Sequence, residues 1–465
     1  MTERTTDGME VLFENPHHAY AIRFIELVAR KYGGRAVCFY TDPAERARNE
    51  HRFPVLRSGL VAASYDFRQA DIEAFAAHLI RHHRIAAAMP FNEPSLRSAA
   101  SLGERLGLSW NAPEVLRLFQ DKHLLKAHLR TNRPDLRINA SIAVESRETV
   151  LSNRRHREYR RFVLKPSSGY GNRNIGVFDS STSPAQIDGY LESLRGVPLV
   201  MEEFVDGREY FVNGQVDAVG RVTVIAIFAY ARVAANGRTN IDHETVLVRH
   251  DDPLFEGLAA YAGEVVAASG LKRSPFHLEA KVDSSGPCLI EVGARLAGHG
   301  NAVLSGELHG PGLDLFDLAA HYYLSDADYG VPPLDWSRYD AKAVRYVHGI
   351  SRRAERIFQL HGIEAIEAMP EFHSWVIRPE VGTKFAVTQD LLTMPYSLIL
   401  KGESQQQTAA AAGRVRASLQ WNRSIGVARR LAVGARCFLR RAAVYARTRV
   451  APLLRDASSY TGASR

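Results

Sequence analysis

The stretch His277-Leu-Glu-Ala-Lys-Val-Asp-Ser-Ser-Gly-Pro-Cys-Leu-Ile-Glu-Val-Gly-Ala-Arg295 constrains this chain more than any other. It reads as two strands joined by a tight turn at Ser284-Ser285-Gly286, with Asp283 and Pro287 flanking it. With the hairpin centred on Ser285, Glu279 and Glu291 stand opposite each other, their Cβ atoms roughly 5 Å apart. Side chains alternate along a strand, so Gly293 and Arg295 share that face. Opposed carboxylates repel, so either one is protonated or a cation lies between them. Acidic oxygens suit Mg²⁺, which takes one or two carboxylates and completes its shell with water and phosphate oxygens. The alternative is a hairpin whose polar face points into solvent, with Lys281 relieving the repulsion.

A chain of 465 residues exceeds one ordinary domain. Its hydrophobic content of 46% is that of a globular protein with a filled core. Cys38, Cys288 and Cys437 are far apart and odd in number, which fits neither a disulfide framework nor a zinc site and points to a reducing cytoplasm. No apolar run follows MTERTTDGME, so no signal peptide is expected. The uncharged run Val222 to Ala231 is too short to span a membrane. The net charge of +8 is unevenly spread. From residue 411 onward there are twelve Arg, no Lys and one acid, Asp456, giving +11 and leaving residues 1–410 at −3.

Residues 1–110 alternate strand and helix: Val11–Glu14, helix Ala19–Tyr32 ending at Gly33-Gly34, strand Arg35–Tyr40, helix Asp71–His83, strand Ile85–Met89 and helix Ser95–Leu106. This predicts a parallel sheet covered by helices. Asn15-Pro16-His17 stands where a dinucleotide fingerprint would follow the first strand, so NAD binding is not expected. His78, His82 and His83 sit among arginines without carboxylates and read as a solvated helix face.

Gln120–Lys126 opens a helix with Asp121 as its first-turn acid and Lys122 beside it. The strand Tyr159–Lys165 runs into Pro166-Ser-Ser-Gly-Tyr-Gly-Asn172, where Gly169 and Gly171 allow close backbone approach to phosphates. A plain hairpin turn is the competing reading of that loop. The strand Leu199–Met201 then leads through two acids to Asp206-Gly207 and Glu209. Val222–Ala231 reads as a central strand and Leu254–Ser269 as a helix. Asn240–Glu244 and Ala297–Asn301 read as irregular, mobile segments. Further strands are expected at Ala341–Val347, Trp375–Arg378 and Phe385–Thr388, and a last helix at Ser404–Leu419.

The order of these parts resembles the ATP-grasp superfamily over roughly residues 10–410, and the 330–405 segment is most similar to the L-amino-acid ligase branch. The motifs are Asp121-Lys122 at a helix, Val-Leu-Lys165-Pro with its glycine loop, Met-Glu-Glu-Phe-Val-Asp-Gly-Arg-Glu209, and His277-X-Glu…Ile-Glu-Val-X-Ala-Arg295. The resemblance implies an α/β fold with a Rossmann-like N-terminal domain (1–115), a small lobe (116–210), and a large lobe with C-terminal strands (211–410). A basic amphipathic tail (411–465) follows. It implies ATP and Mg²⁺ as cofactors, with Mn²⁺ an admissible substitute. Lys122 and Lys165 would contact the phosphates, Lys165 also near the adenine, beneath a flap that carries Ser167, Gly169 and Gly171. Glu202, Glu203 and Val205 would line the adenine hinge, Glu209 the ribose. Glu279 and Glu291 would hold the metal, and Arg295 would face the γ-phosphate and the acyl intermediate. The implied activity is ATP-dependent joining of a small-molecule carboxylate to an amine, with a nucleotide-binding regulator as the alternative. Two departures stand out: family members commonly have Asn, a metal-binding residue, where this chain has Gly293, and the flap reads Gly171-Asn-Arg-Asn-Ile-Gly176 without the usual serine before the following strand.

Arg429, Arg436, Arg440 and Arg447 line one face of a helix and Leu431, Phe438 and Tyr445 another. Residues 424–450 therefore offer contact to an anionic membrane surface or an acidic partner, against a solvated appendage as the plainer reading. Nucleic acid is not an expected partner. A homodimer is left open, and the chain is expected in the cytoplasm, peripheral to the membrane at most.

Overall fold

The computed structural model describes residues 8–68, 71–108, 111–155, 161–169, 171, 173–298, 300–325 and 330–422. The N-terminal region is a four-stranded parallel sheet of Glu10–Glu14 (β1), Arg35–Tyr40 (β2), Val61–Asp66 (β3) and Ile85–Ala88 (β4), in the order β3-β2-β1-β4. Gly33 ends the first helix in the left-handed conformation that glycine adopts freely, donating to Ala29 and Val28 carbonyls. The helix Pro43–Arg52 and β3 had no distinct sequence signal. The expectation of a solvated histidine face fails at His83. Its Nδ1 lies 2.8 Å from Glu10 Oε2 and its Nε2 2.7 Å from Tyr65 Oη, so the ring is a buried link across the sheet.

A small antiparallel sheet follows, built from Ser141–Val144 (β5), Arg161–Pro166 (β6), Gly176–Asp179 (β7) and Leu199–Glu203 (β8), in the order β5-β8-β6-β7. The large lobe is an eight-stranded sheet. Its first strands are Arg208–Val216 (β9), Val222–Ala235 (β10), Arg238–Leu247 (β11), Ser274–Asp283 (β12), Gly286–Gly293 (β13) and Ala343–His348 (β14). The order is β13-β12-β9-β10-β11-β14, then Ser397–Gly402 and Phe372–Ile377. Asn240–Glu244, read as a mobile loop, is instead the middle of β11, where buried Ile241 and Thr245 alternate with polar neighbours. Gly300 and Asn301 start a helix, Asn301–His309, where a flexible segment was expected.

Leu125 and Leu129 of the helix Lys122–Asn132 are buried in the core of the large sheet, together with Leu116 and Phe119. Each such burial is worth about 2 kcal/mol, so this linker helix is anchored in the large lobe as well as in the small one, which it meets through the Lys126–Glu202 pair and the Lys122 N–H bond to the Ser167 carbonyl. The boundary at 411 cuts through the helix Gln405–Ser418, whose Ala411, Ala412 and Val415 are fully buried. Two of the arginines assigned to the tail, Arg414 and Arg416, pair with Glu371 and Glu244 at 2.8 and 2.6 Å. The segment 424–450 lies outside the described residues. No helix among the described residues is long and apolar enough to cross a membrane.

The N-terminal region is tied to the large lobe by a shared core. Phe24 and Tyr20 of the first helix pack edge-on against Phe316 of the helix Leu315–Leu324. Tyr20 Oη donates to the Ala297 carbonyl at 2.8 Å and accepts the Gly300 N–H at 2.9 Å. This brings the C-terminal edge of the parallel sheet against the end of β13.

Candidate nucleotide and metal site

The β12–β13 hairpin pairs Glu279 with Glu291 and His277 with Gly293. The turn is tighter than the sequence reading had it, because Asp283 pairs with Gly286 and only Ser284 and Ser285 lie between. That register alone would place Glu279 opposite Ile290. A bulge after Glu279 leaves Ile290 unpaired and restores the two acids to one rung. Beyond the bulge, Glu291, Gly293 and Arg295 keep to one face.

The repulsion between the acids is relieved by neighbours other than Lys281, whose Nζ donates to the Val205 carbonyl at 2.9 Å. Lys122 Nζ lies 3.3 Å from Glu291 Oε2 and donates to the Gly169 carbonyl at 2.8 Å, so it joins the hairpin to the glycine loop. Tyr230 Oη donates to Glu279 Oε1 at 2.8 Å, and His277 Nε2 stands 3.5 Å from the same oxygen. Burial alone would raise Glu279, but His277 and Arg232 outweigh it and bring the carboxyl down to about 2.

Behind this rung lies a group the sequence reading did not foresee. Glu202 Oε2 is 2.7 Å from Lys126 Nζ and 2.9 Å from Lys165 Nζ, and all three residues are at most 5% exposed. Burial works against the Glu202 anion, but the two ammoniums hold it down to about 2. Burial brings Lys126 down to about 8, the pull of Glu202 only partly offsetting it. Burial also opposes the charge of Lys165, yet Glu202, Glu291 and Glu279 together keep it above the ordinary lysine range. One carboxylate between two cations leaves a surplus positive charge in a buried pocket. Lys126 had a sequence signal: it follows Lys122 by one helical turn and so shares its face.

The other expected residues are placed as follows. Ser167 is buried, its N–H donating to the Pro198 carbonyl at 2.9 Å and its carbonyl accepting the Lys122 N–H at 2.9 Å. Gly169 and Gly171 adopt φ of +129° and +78°, which side-chain-bearing residues rarely do. Tyr170 and Asn172 of the same loop lie outside the described residues. Glu203 is exposed, its carbonyl accepting from Asn139 Nδ2 at 2.9 Å, and Val205 is buried. Glu209 is buried 2.6 Å from Arg232 Nη2, and Arg232 Nε is 3.1 Å from Asp242. Two acids therefore share one guanidinium. Arg295, at the end of β13, donates from Nε to Glu93 Oε2 at 2.7 Å and from Nη1 to the Leu296 carbonyl at 3.0 Å. Glu93 had no sequence signal, since 202 positions separate it from its partner.

Lys165 and Arg295 each lie within electrostatic reach of Glu279 and Glu291, and Lys122 touches Glu291 directly. Among the described residues no three His, Cys, Asp or Glu side chains converge as a self-sufficient metal cage. Two carboxylates on one rung, with Lys122 and Lys165 beside them to meet phosphate oxygens, fit the way Mg²⁺ is held with a nucleotide. They do not fit a structural metal.

A small antiparallel sheet folded over a large one, with lysines from both meeting an acidic hairpin, defines an ATP-grasp fold. Residues 160–303 match the ATP-grasp domain family. Among curated proteins it is similar to dapdiamide A synthase of Enterobacter agglomerans, 27% identical over 236 residues. That match takes in 49% of this chain and 54% of the relative, so it spans only about half of that enzyme's length. Among solved structures it is similar to the L-amino acid ligase from Bacillus licheniformis, with a TM-score of 0.70 at 16% identity, covering 90% of this chain and 98% of that one. The biotin carboxylase domain of a Hydrogenobacter thermophilus 2-oxoglutarate carboxylase, solved with MgADP, aligns with a TM-score of 0.58 at 13% identity, covering 89% and 90%.

Proposed function

We propose that this protein is an ATP-dependent carboxylate–amine ligase. The observation that carries the reading is the meeting of Glu279 and Glu291, opposed on one rung, with Lys122, Lys165 and Arg295. Phosphoryl transfer asks a protein mainly for positioning and charge neutralisation, and this group offers both. Mg²⁺, held by Glu279 and Glu291, would supply neutralising charge at the phosphates. Lys122 and Lys165 bind the phosphate chain, with Lys126 and Glu202 fixing the Lys165 ammonium from behind. Glu203 and Val205 lie along the hinge proposed for the adenine, and Glu209 on the side proposed for the ribose. The loop carrying Ser167, Gly169 and Gly171 covers the phosphates and excludes water. The substrate carboxylate oxygen attacks the γ-phosphorus and the bond to the ADP oxygen breaks, giving an acyl phosphate. The amine nitrogen then attacks the acyl carbon and phosphate leaves with the amine's proton. Arg295 stabilises the negative oxygens of both steps.

Full-length protein is expected to release ADP when a carboxylate and an amine are both present, and only at background rate with either alone. A coupled ADP assay over acid–amine pairs checks this. Equal release with and without the pair sinks the ligase reading. Nucleotide binding without product across the panel favours the second reading, a non-catalytic nucleotide-binding regulator, which Gly293 in place of the family's metal-binding Asn supports.

The Arg-rich segment 424–450 is proposed to lie on anionic membrane surfaces. Full-length protein is expected to co-sediment with phosphatidylserine-containing vesicles in low salt, and protein ending at residue 422 is not. Equal partition of the two removes the membrane reading.

A further inference from the structure

The tip of the β10–β11 hairpin touches two other parts of the molecule at once, and nothing in the chemistry above uses it. Its turn is Asn236-Gly237, with both residues in the left-handed region at φ of +53° and +75°, as a two-residue hairpin turn requires. The register between β10 and β11 slips at Ala231/Arg232 and again at Val233/Ala235, and such bulges bend a strand and re-aim its end. The Asn236 amide is committed to the C-terminal part of the large lobe. Its Nδ2 donates to the Ser351 carbonyl at 2.9 Å and to the Thr388 carbonyl at 2.8 Å. Two residues on, Arg238 Nη1 donates to the Ile175 carbonyl at 2.9 Å. Ile175 belongs to the small lobe and stands directly before β7, where the glycine loop returns to its sheet. That return is firmly seated. Tyr190 Oη, from the helix Pro184–Ser193, stands 2.7 and 2.5 Å from the Leu164 and Asn174 carbonyls. A Cβ on residue 176 would meet the Phe178 ring at 2.5 Å and the Tyr190 ring at 2.9 Å, so the chain passes there only as glycine. Arg238 thus holds a fixed point of the small lobe, not a loose end of it.

A guanidinium N–H donated to a carbonyl is a charge-assisted hydrogen bond, stronger than a neutral one. Its acceptor is backbone, so the bond depends on where the small lobe stands and not on the side chain at 175. Lys122 makes a comparable bond to the Gly169 carbonyl on the outgoing side of the loop, but its ammonium is also the group proposed for the phosphates. Arg238 has no such second task. A nucleotide shut between two lobes enters and leaves only when they part. Parting breaks the Arg238–Ile175 bond, whereas the Asn236 bonds, made within the large lobe, survive it. The Arg238 bond therefore belongs to the closed state and biases the lobes toward it. Resting on the ligase reading, we propose that Arg238 is a positioning residue that clasps the small lobe shut over the cleft, and that Asn236 anchors this clasp to the C-terminal strands. The benefit is chemical. When water reaches an acyl phosphate, its oxygen attacks the acyl carbon, the bond from that carbon to the phosphate oxygen breaks, and the acid is regenerated with the loss of one ATP. A loosened clasp then shows as ADP released without amide.

The test uses full-length protein and a readout that does not need turnover. Arg173 is exposed in the returning arm of the loop, two residues before Ile175, and offers trypsin a cut site. Wild type loaded with Mg²⁺ and a non-hydrolysable ATP analogue is expected to be cut after Arg173 far more slowly than without nucleotide. Arg238→Met keeps the apolar stem and loses the donor. It is expected to lose about tenfold of that protection and to raise the KM for ATP by a similar factor, while ADP release outruns amide formation. Arg238→Lys, which keeps a cationic donor, should recover part of the protection. Asn236→Gly keeps the turn's positive φ and removes only the amide, and should move the protection in the same direction. Urea midpoints near that of wild type for the variants exclude loss of the fold as the cause. Arg238→Met with wild-type protection and wild-type KM for ATP overturns the inference. So does a loss confined to kcat, which marks Arg238 as acting on the chemical step. Asn236→Gly with unchanged protection overturns the anchor. Protection that Arg238→Met removes, with no ADP release by wild type on any acid–amine pair, upholds the clasp and defeats the ligase. Equal cutting of wild type with and without the analogue overturns the clasp, whatever the ADP assay gives.

Discussion

Arg295→Met is expected to lower ADP release by about 10²- to 10³-fold while leaving ADP affinity near that of wild type. Arg295 is mostly buried, and two of its nitrogens are already committed, Nε to Glu93 and Nη1 to the Leu296 carbonyl. Those bonds fix the plane of the guanidinium and, in the proposed mechanism, leave Nη2 for the reacting oxygens. Glu93, Glu291 and Glu279 outweigh the cost of burial and keep its charge secure. A donor so fixed pays no reorganisation when charge develops, which is why its loss falls on the chemical step. Arg295→Lys keeps the charge but not the planar fork, and is expected to recover only part of the rate. The measurements are a coupled ADP assay and calorimetric titration with ADP. Turnover within about threefold of wild type in Arg295→Met would remove Arg295 from the mechanism.

What the amino-acid sequence disclosed follows the range of the interactions involved. Ala19–Tyr32 and Arg35–Tyr40 could be read residue for residue, because helical periodicity, a glycine stop and a buried run are local signals. The opposed acids were also readable, though through a compensation. A hairpin centred one half-residue too far along and an unforeseen bulge at Ile290 cancel, and both routes pair Glu279 with Glu291. β11 was hidden because it carries the buried Asp242 and the part-buried Glu244, whose partners Arg232, Arg345 and Arg416 come from other elements. Ser397–Gly402, central to the far half of the large sheet, gave no alternation because both its faces are covered. The buried Lys126–Glu202–Lys165 group and the Glu93–Arg295 pair were illegible for the same reason. Each joins elements far apart in sequence, and a lone Lys or Glu in a polar stretch looks like any surface residue. Only the i, i+4 spacing of Lys122 and Lys126 hinted that both point the same way.

Glu202→Gln is expected to destabilise the fold by about 3–5 kcal/mol near neutral pH, because removing one member of a buried charged group strands the others. The amide cannot balance two ammoniums that share a pocket from which water is excluded. The pH dependence has a definite sign. Glu202 titrates at about 2 in the fold, below its ordinary 4.5, so the stability it contributes is present above about pH 5 and is lost as pH falls toward 2. The gap between wild type and variant should therefore close on acidification. On the alkaline side Lys126, brought down to about 8 from 10.5, sheds its proton in the fold before it does in the unfolded chain. Stability gains from Lys126 between those two values, and below the lower one the full cost of charging it is borne. In Glu202→Gln that cost rises, so Lys126→Met should rescue part of the loss when combined with it. The two sites touch, and a coupling of at least about 1 kcal/mol is expected in the double-mutant cycle. Urea unfolding of the four proteins between about pH 3 and pH 9 supplies the numbers. A gap that stays constant across that range, or a double variant no more stable than Glu202→Gln, would show that the two lysines do not depend on this carboxylate for their burial.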